Sequence, residues 1–391
     1  MISRDDAREL DAAYPLARWR DEFVIPDPEV IYLDGNSLGR TPKRTVAALH
    51  RAVERWSSDL IGSWWEHDWL NLALTVGDEL APLLGAGPGE VAVHESTTVA
   101  LFQQVNVALD LVPDRRVIAI DDRDFPTDRY VVEGVARLRG VEVRAGLGDL
   151  DGVDVVVRSL VDYRTAEVAD LAGETARATA AGATTIWDLS HAAGVLELDL
   201  PGAGVELAVG CTYKFLNGGP GAPAFVFVSR DVQDRVTQPI WGWFAQSDQF
   251  AMERAFDPRP GVGRMLNGTP PVLGLTAARE GIGLTADAGI AAIADKARAL
   301  TGFCIDLADE LGFDADTPRD PALRGGHVAV RHPDARSLQA ALAERKVIVD
   351  YREPDVVRFG LSPLTTSFTD VFDAMTILSD LATRNLPGMS R

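Results

Sequence analysis

The sequence predicts an α/β protein, with a large domain built on a mostly parallel sheet covered by helices and a smaller α+β domain. Three observations carry that expectation. The chain has 391 residues, too many for one ordinary core. Through its middle, near-continuous apolar runs of strand length alternate with helical runs, as in a sheet buried on both faces. From about Leu273 the order changes to paired helices, short strands and a last helix. The expected division places residues 50–290 in the large domain and residues 1–49 with 291–391 in the small one.

In chain order, VIYLDGNSLG (Val30–Gly39) reads as a short strand ending in a Gly/Asn turn. TPKRTVAALHRAVERWSSDL has helical spacing, with Pro42 in the first turn, where its missing N–H costs nothing. LNLALTVGDELAPLLGA is a second helix, ending at glycine. Strand-like runs follow at Arg115–Asp121, Val153–Leu160, Ala183–Asp188, Val205–Cys211 and Ala222–Ser229. Between several of them lie helical runs, notably TTVALFQQVNVAL and TAEVADLAGETARATAAG. Leu273–Thr285 and Ala288–Leu311 predict two further helices. GHVAVRH, KVIVD and VVRFG predict short strands, and a last helix starts at Thr369. There is no internal repeat and no low-complexity tract.

The net charge of −20 disfavours nucleic acid and anionic lipid as partners. It leaves room for a small anionic ligand in a locally basic pocket. The two cysteines, Cys211 and Cys304, have neither metal-type spacing nor a disulfide framework, so no metal is expected and a reducing cytoplasm fits. The first residues are charged throughout and lack an apolar signal core, and no stretch has the ~18 apolar residues of a membrane span.

Lysine usage is selective. Only four lysines occur among the 38 basic residues. Lys43, Lys296 and Lys346 have charged neighbours and read as solvated surface. Lys214 sits in GCTYKFLNGGPGAPAF among apolar and small residues. Burying an unpaired ammonium is costly, so this head group either snorkels to water or does chemistry.

In an open parallel sheet, ligands bind beyond the carboxyl ends of the strands. Asp188 closes TTIWD, Ser159 closes VVVRS, and Lys214 lies just past VELAVGC. Ser96, Thr97 and Thr98 stand where a helix begins, and hydroxyls with free N–H groups there suit a phosphate. Taken singly, these are also the residues of helix caps and turns, and His191 alone fits a structural histidine. As a set they match pyridoxal 5′-phosphate, which needs a lysine for its aldehyde, a carboxylate against its ring nitrogen and a phosphate cradle.

The segments YLDGNSLG, FPTDRY (Phe125–Tyr130), WDLSHAAG (Trp187–Gly194), GCTYKFLNGGPGAPAF, GTPPVL (Gly268–Leu273) and VVRFGLSPL (Val356–Leu364) resemble the signature segments of kynureninases, in the same order. The resemblance covers most of the chain. It implies a fold-type-I pyridoxal-phosphate-dependent transferase fold, a homodimer with shared active sites, and hydrolysis of L-kynurenine to anthranilate and L-alanine. It implies that Lys214 links covalently to the cofactor and moves protons, that Asp188 faces the ring nitrogen and that Tyr213 assists protonation. Thr97, Thr98, Phe125, Asp128, Ser159, His191 and Tyr213 match cofactor-binding positions. Trp243 and Thr269 match positions that reach the cofactor from the partner subunit. Arg358 matches the arginine that grips the substrate carboxylate, a task suited to its planar fork, with Ser37 and Trp64 also on the substrate side.

The chain departs from the family pattern at Asp162, Ala166, Ala245, Gln246 and Thr365. The expectation is that these changes bear on the pocket for the aryl ring. The alternatives are therefore a kynureninase-like enzyme acting on a modified kynurenine, or another class V enzyme such as a cysteine desulfurase or lyase. Gly268-Thr269 before the paired prolines points to L-kynurenine rather than its 3-hydroxy derivative.

Overall fold

The structure, a computed structural model, describes residues 1–112 and 117–383. The helices are α1 Arg4–Ala13, α2 Lys43–Asp59, α3 Ser63–Glu66, α4 Leu72–Leu80, α5 Thr97–Leu111, α6 Pro126–Arg139, α7 Leu171–Ala180, α8 Val272–Ala288, α9 Ile290–Glu310, α10 Ala335–Glu344 and α11 Phe368–Thr383. The strands are β1 Ile31–Tyr32, β2 Val91–Val93, β3 Val117–Ile120, β4 Glu142–Ala145, β5 Val155–Ser159, β6 Thr184–Asp188, β7 Leu207–Gly210, β8 Phe225–Val228, β9 Asp314–Ala315, β10 His327–Arg331, β11 Val347–Ile348, β12 Asp350–Arg352 and β13 Val356–Gly360.

Seven strands form the large sheet in the order β2-β8-β7-β6-β5-β3-β4. Its run from β4 to β7 is parallel, while β8 and β2 pair antiparallel at one edge. The fold is thus α/β with a mostly parallel sheet, as the alternation predicts. Strands β5, β6, β7 and β8 are buried along their whole length, which is why they read as unbroken apolar runs. Ile186, Trp187, Val209 and Phe227 lie in the main apolar cluster, together with α4, α5 and part of α8. A second cluster gathers Ala7 and Leu33 with residues from Leu300 to Leu381. It covers the four-stranded antiparallel sheet β12-β13-β10-β9 and the short β1–β11 pair.

Several expectations need correction. The helix expected over Thr165–Gly182 begins only at Leu171. Asp162 Oδ1 accepts from the Arg164 and Thr165 N–H groups at 2.8 and 2.9 Å and holds that stretch in a turn. Asp170 then caps the helix through the Gly173 N–H. Strands β2 and β4 are not foreseen: β2 is an apolar run of only three residues, too short to read as a strand, and β4 is a half-exposed edge. Arg115 and Arg116, expected to open β3, lie outside the described residues. Lys43 and Lys346 are exposed, but Lys296 is buried.

Candidate active site

Three parallel strands end together and deliver the chemistry. Asp188 closes β6, Ser159 closes β5 and is its register partner, and β7 leads into the Lys214 loop. That loop is tied down locally. The Thr212 hydroxyl donates to the Pro223 carbonyl at 2.7 Å, and the Gly218 N–H donates to the Thr212 carbonyl at 2.9 Å. The YLDGNSLG turn presses against it: the Gly39 N–H donates to the Tyr213 carbonyl at 2.8 Å, and a Cβ on Gly39 would stand 2.4 Å from the Lys214 carbonyl oxygen.

Lys214 opens into a pocket of about 280 Å³ lined by residues that include Thr97, Thr98, Phe125, Asp128, Asp188, His191, Tyr213, Arg352 and Arg358. Its Nζ lies 3.2 Å from His191 Nε2. Burial and the neighbouring Lys214 hold that imidazole well below its usual range, so it stays neutral. The rings of His191 and His327 sit 5.8 Å apart. Asp188 Oδ1 accepts from the Ser190 N–H at 2.8 Å and its hydroxyl at 2.6 Å. Asp128 is pushed well above the carboxylate range by burial and then by the Asp188 carboxyl, to which it hydrogen-bonds. Ser159 stands one step behind, its hydroxyl 3.4 Å from Asp128 Oδ2. Burial raises the Tyr213 phenol, keeping it a proton donor. Phe125 is half-exposed at the mouth, edge-on to Tyr163.

The opposite wall comes from the small sheet. Arg358 in β13 is fully buried and paired to Asp350 in β12, with Nε 3.0 Å from Asp350 Oδ1 and Nη2 on Oδ2. Ser37 donates to Asp350 at 2.9 Å and lies 3.4 Å from Arg358 Nη2. Arg352 also reaches Asp350, at 3.0 Å, and its Nε has no hydrogen-bond partner among the described residues. Two guanidinium groups therefore share one carboxylate, leaving a positive balance suited to a carboxylate ligand. Sequence reasoning missed Arg352 and Asp350 because β12 has only three residues, all half-buried, with no period to read.

The pocket fits pyridoxal phosphate. Two buried carboxyls, Asp128 and Asp188, crowd one another, and a protonated ring nitrogen against Asp188 would relieve that conflict. Thr97 and Thr98 place hydroxyls and the first N–H groups of α5 on the pocket wall, the donors a phosphate requires. Lys214 supplies the amine. Trp64, Trp243 and Thr269 are not brought to Lys214 within this chain. Trp64 packs on Trp69 and Phe244 and lines an apolar cavity of about 530 Å³ with Pro270 and Pro271. Trp243 and Thr269 are exposed.

The departures from the family pattern also fall away from this pocket. Ala245 is buried outside it, and Gln246 accepts from the Asp257 N–H in a surface loop. Thr365 lines a different cavity, with Lys296.

A model of the kynureninase C-terminal domain matches residues 293–378. The chain is 42% identical to the kynureninase of Pseudomonas fluorescens over 98% of its own length and 96% of that protein's. It is 45% identical to the kynureninase of Deinococcus radiodurans, covering 93% and 92%. Among solved structures it is similar to a cysteine desulfurase from Escherichia coli, with a TM-score of 0.80, 17% identity, and 95% and 98% of the two chains covered. A C-DES variant with glycine covalently linked to its pyridoxal phosphate gives a TM-score of 0.80 at 16% identity, covering 91% and 100%. At these identities the solved structures speak for the fold alone, which is that of fold-type-I enzymes.

Proposed function

The chain belongs to the kynureninase family, and on that premise we propose that it hydrolyses L-kynurenine to anthranilate and L-alanine, with pyridoxal phosphate as cofactor. The observation that carries this reading is Lys214 between the Asp188–Asp128 pair and the paired Arg358 and Arg352. When bound, the cofactor supplies an electron sink for negative charge developing at carbon. Thr97 and Thr98 would hold its phosphate, and Asp188 would keep its ring nitrogen protonated. Arg358, with Arg352 beside it, binds the substrate α-carboxylate and orients Cα toward Lys214. Lys214 Nζ takes the Cα proton, and the Tyr213 hydroxyl, held protonated by burial, returns a proton on the way to alanine. His191, held neutral by burial, stands 3.2 Å from Lys214 Nζ and adds no charge beside it.

A cysteine desulfurase reading lacks its reagent. Cys211 and Cys304 are both buried, and burial raises both thiols, Cys304 to about 12.

The finer reading is a cytoplasmic homodimer with shared active sites. Supporting it, exposed Trp56, Leu60, Ile61, Trp241, Trp243 and Leu273 leave apolar surface that a second copy would cover. In that assembly Trp243, Thr269 and Trp64 would serve the partner's pocket. Gly268, with open space where a Cβ would stand, offers a ring hydroxyl no side-chain partner, which favours L-kynurenine over the 3-hydroxy compound.

The test is direct. Purified enzyme supplied with pyridoxal phosphate should release fluorescent anthranilate from L-kynurenine, and Lys214→Ala should lose the yellow, borohydride-reducible adduct and turnover together. Alanine released from cysteine without anthranilate from kynurenine would overturn the assignment.

A further inference from the structure

The Thr365 departure and the buried lysine meet in one place. Lys296, Thr365 and Thr366, with Asp11, Arg20, Ser367 and Asp370, line a cavity of about 240 Å³ that shares no lining residue with the Lys214 pocket. Lys296 is 4% exposed, and its ammonium has neither hydrogen bond nor ion pair among the described residues. Thr365 and Thr366 are 3% and 2% exposed, and neither hydroxyl has a hydrogen-bond partner among the described residues. Buried polar groups are ordinarily paired, so two orphaned hydroxyls beside an unpaired ammonium in one cavity call for a ligand.

The remaining groups indicate its chemistry. Two carboxylates line the cavity, Asp11 and Asp370, and most of their oxygens are engaged elsewhere. Asp11 accepts from the Phe368 and Thr369 N–H groups at 2.7 and 3.1 Å and from the Thr369 hydroxyl at 2.7 Å. Asp370 Oδ2 accepts from the Ser367 N–H at 3.0 Å and from Arg20. Arg20 Nη1 also donates to the Thr365 carbonyl at 2.6 Å. Beside the second oxygen of Asp370, the cavity is left with an ammonium, two hydroxyls and the rest of a guanidinium, so donors outnumber acceptors.

We propose that this cavity binds a small oxyanion, a carboxylate or a phosphate, held between Lys296, Arg20, Thr365 and Thr366. The occupant ties α9 to the loop that follows β13, the strand carrying Arg358. Burial, reinforced by Arg20, lowers the Lys296 ammonium to about 8, against the pull of Asp11 from α1 and Asp370 from α11. A bound oxyanion restores the counter-charge and moves that titration upward.

Because the chain has only four lysines, lysine labelled with carbon-13 at Cε gives the holoenzyme few signals, and Lys296→Met assigns the one from Lys296. The labelled holoenzyme is titrated at constant ionic strength with inorganic phosphate, acetate or chloride. The Lys296 signal should shift saturably with phosphate or with acetate, whichever is the fitting anion, and not with chloride. Its titration midpoint should rise by about one pH unit, while the Lys214 signal, in the cofactor pocket, stays put. Thr366→Val should weaken the anion midpoint roughly fivefold. A Lys296 signal unmoved by phosphate and acetate, or moved equally by chloride, overturns the proposal, as does an unchanged midpoint in Thr366→Val.

Discussion

Ala166 stands at φ +65°, where the family more often has glycine, and it is fully buried. The left-handed conformation costs an alanine ~1–2 kcal/mol, while glycine gives back ~0.5–1 in chain entropy and a little more in a lost methyl contact. Ala166→Gly should therefore leave the melting temperature unchanged or raise it by about 2 °C; a fall of several degrees in calorimetry would show that the turn carries no strain. Lys296 makes a second residue-scale case. Its folded pKa of about 8 lies below the ordinary 10.5, so the fold penalises the charged form. That penalty is full below about 8 and disappears as pH rises to about 10.5. In buffer without oxyanions, wild-type enzyme should gain up to roughly 3 kcal/mol relative to Lys296→Met across that window. Urea unfolding at pH 7.5 and 10 checks it, and parallel behaviour of the two proteins would remove the buried charge from consideration.

Among the elements, the site was most legible where the sheet is deepest. Asp188, Ser159 and Lys214 follow apolar runs whose ends mark the carboxyl edge of a parallel sheet, and strand length alone put them together. The small sheet was not legible in that way. Arg352 and Asp350 come from three half-buried residues, so neither charge signalled a pocket. Lys296 was misread although its signal was present. Ile293, Lys296, Ala297, Leu300 and Cys304 share one face of α9 and are all buried, while the charges taken as its neighbours, Asp295 and Arg298, turn outward. The role given to β12 can be checked. Arg352→Ala removes half of the cationic balance around Asp350 but leaves Lys214 and Asp188 untouched, so KM for L-kynurenine should rise roughly tenfold, with a smaller change in kcat. An unchanged KM in steady-state kinetics would assign carboxylate binding to Arg358 alone.

At the scale of the whole molecule, the proposed homodimer predicts complementation. Lys214→Ala and Trp243→Ala should each be poorly active, yet mixing them should restore up to about a quarter of wild-type activity, since a mixed dimer holds one site with both defects and one with neither. Light scattering that finds the active species to be a monomer would refute it. A final consequence lies in how the pocket is assembled. Lys214 and Asp188 hang on one apolar cluster, through β6 and β7, whereas Arg358 and Arg352 hang on another, through β12 and β13. Among the described residues no single core holds both sets of groups in place, so under the proposed mechanism the substrate would span a seam, with its α-carboxylate as the rivet. An amine with the same aryl ketone but no carboxylate could still enter, yet would leave the seam unfastened and Lys214 without a fixed target. On that proposal, selectivity for α-amino acids would come from bridging the seam as much as from charge, and loosening either half should degrade it before it degrades cofactor binding.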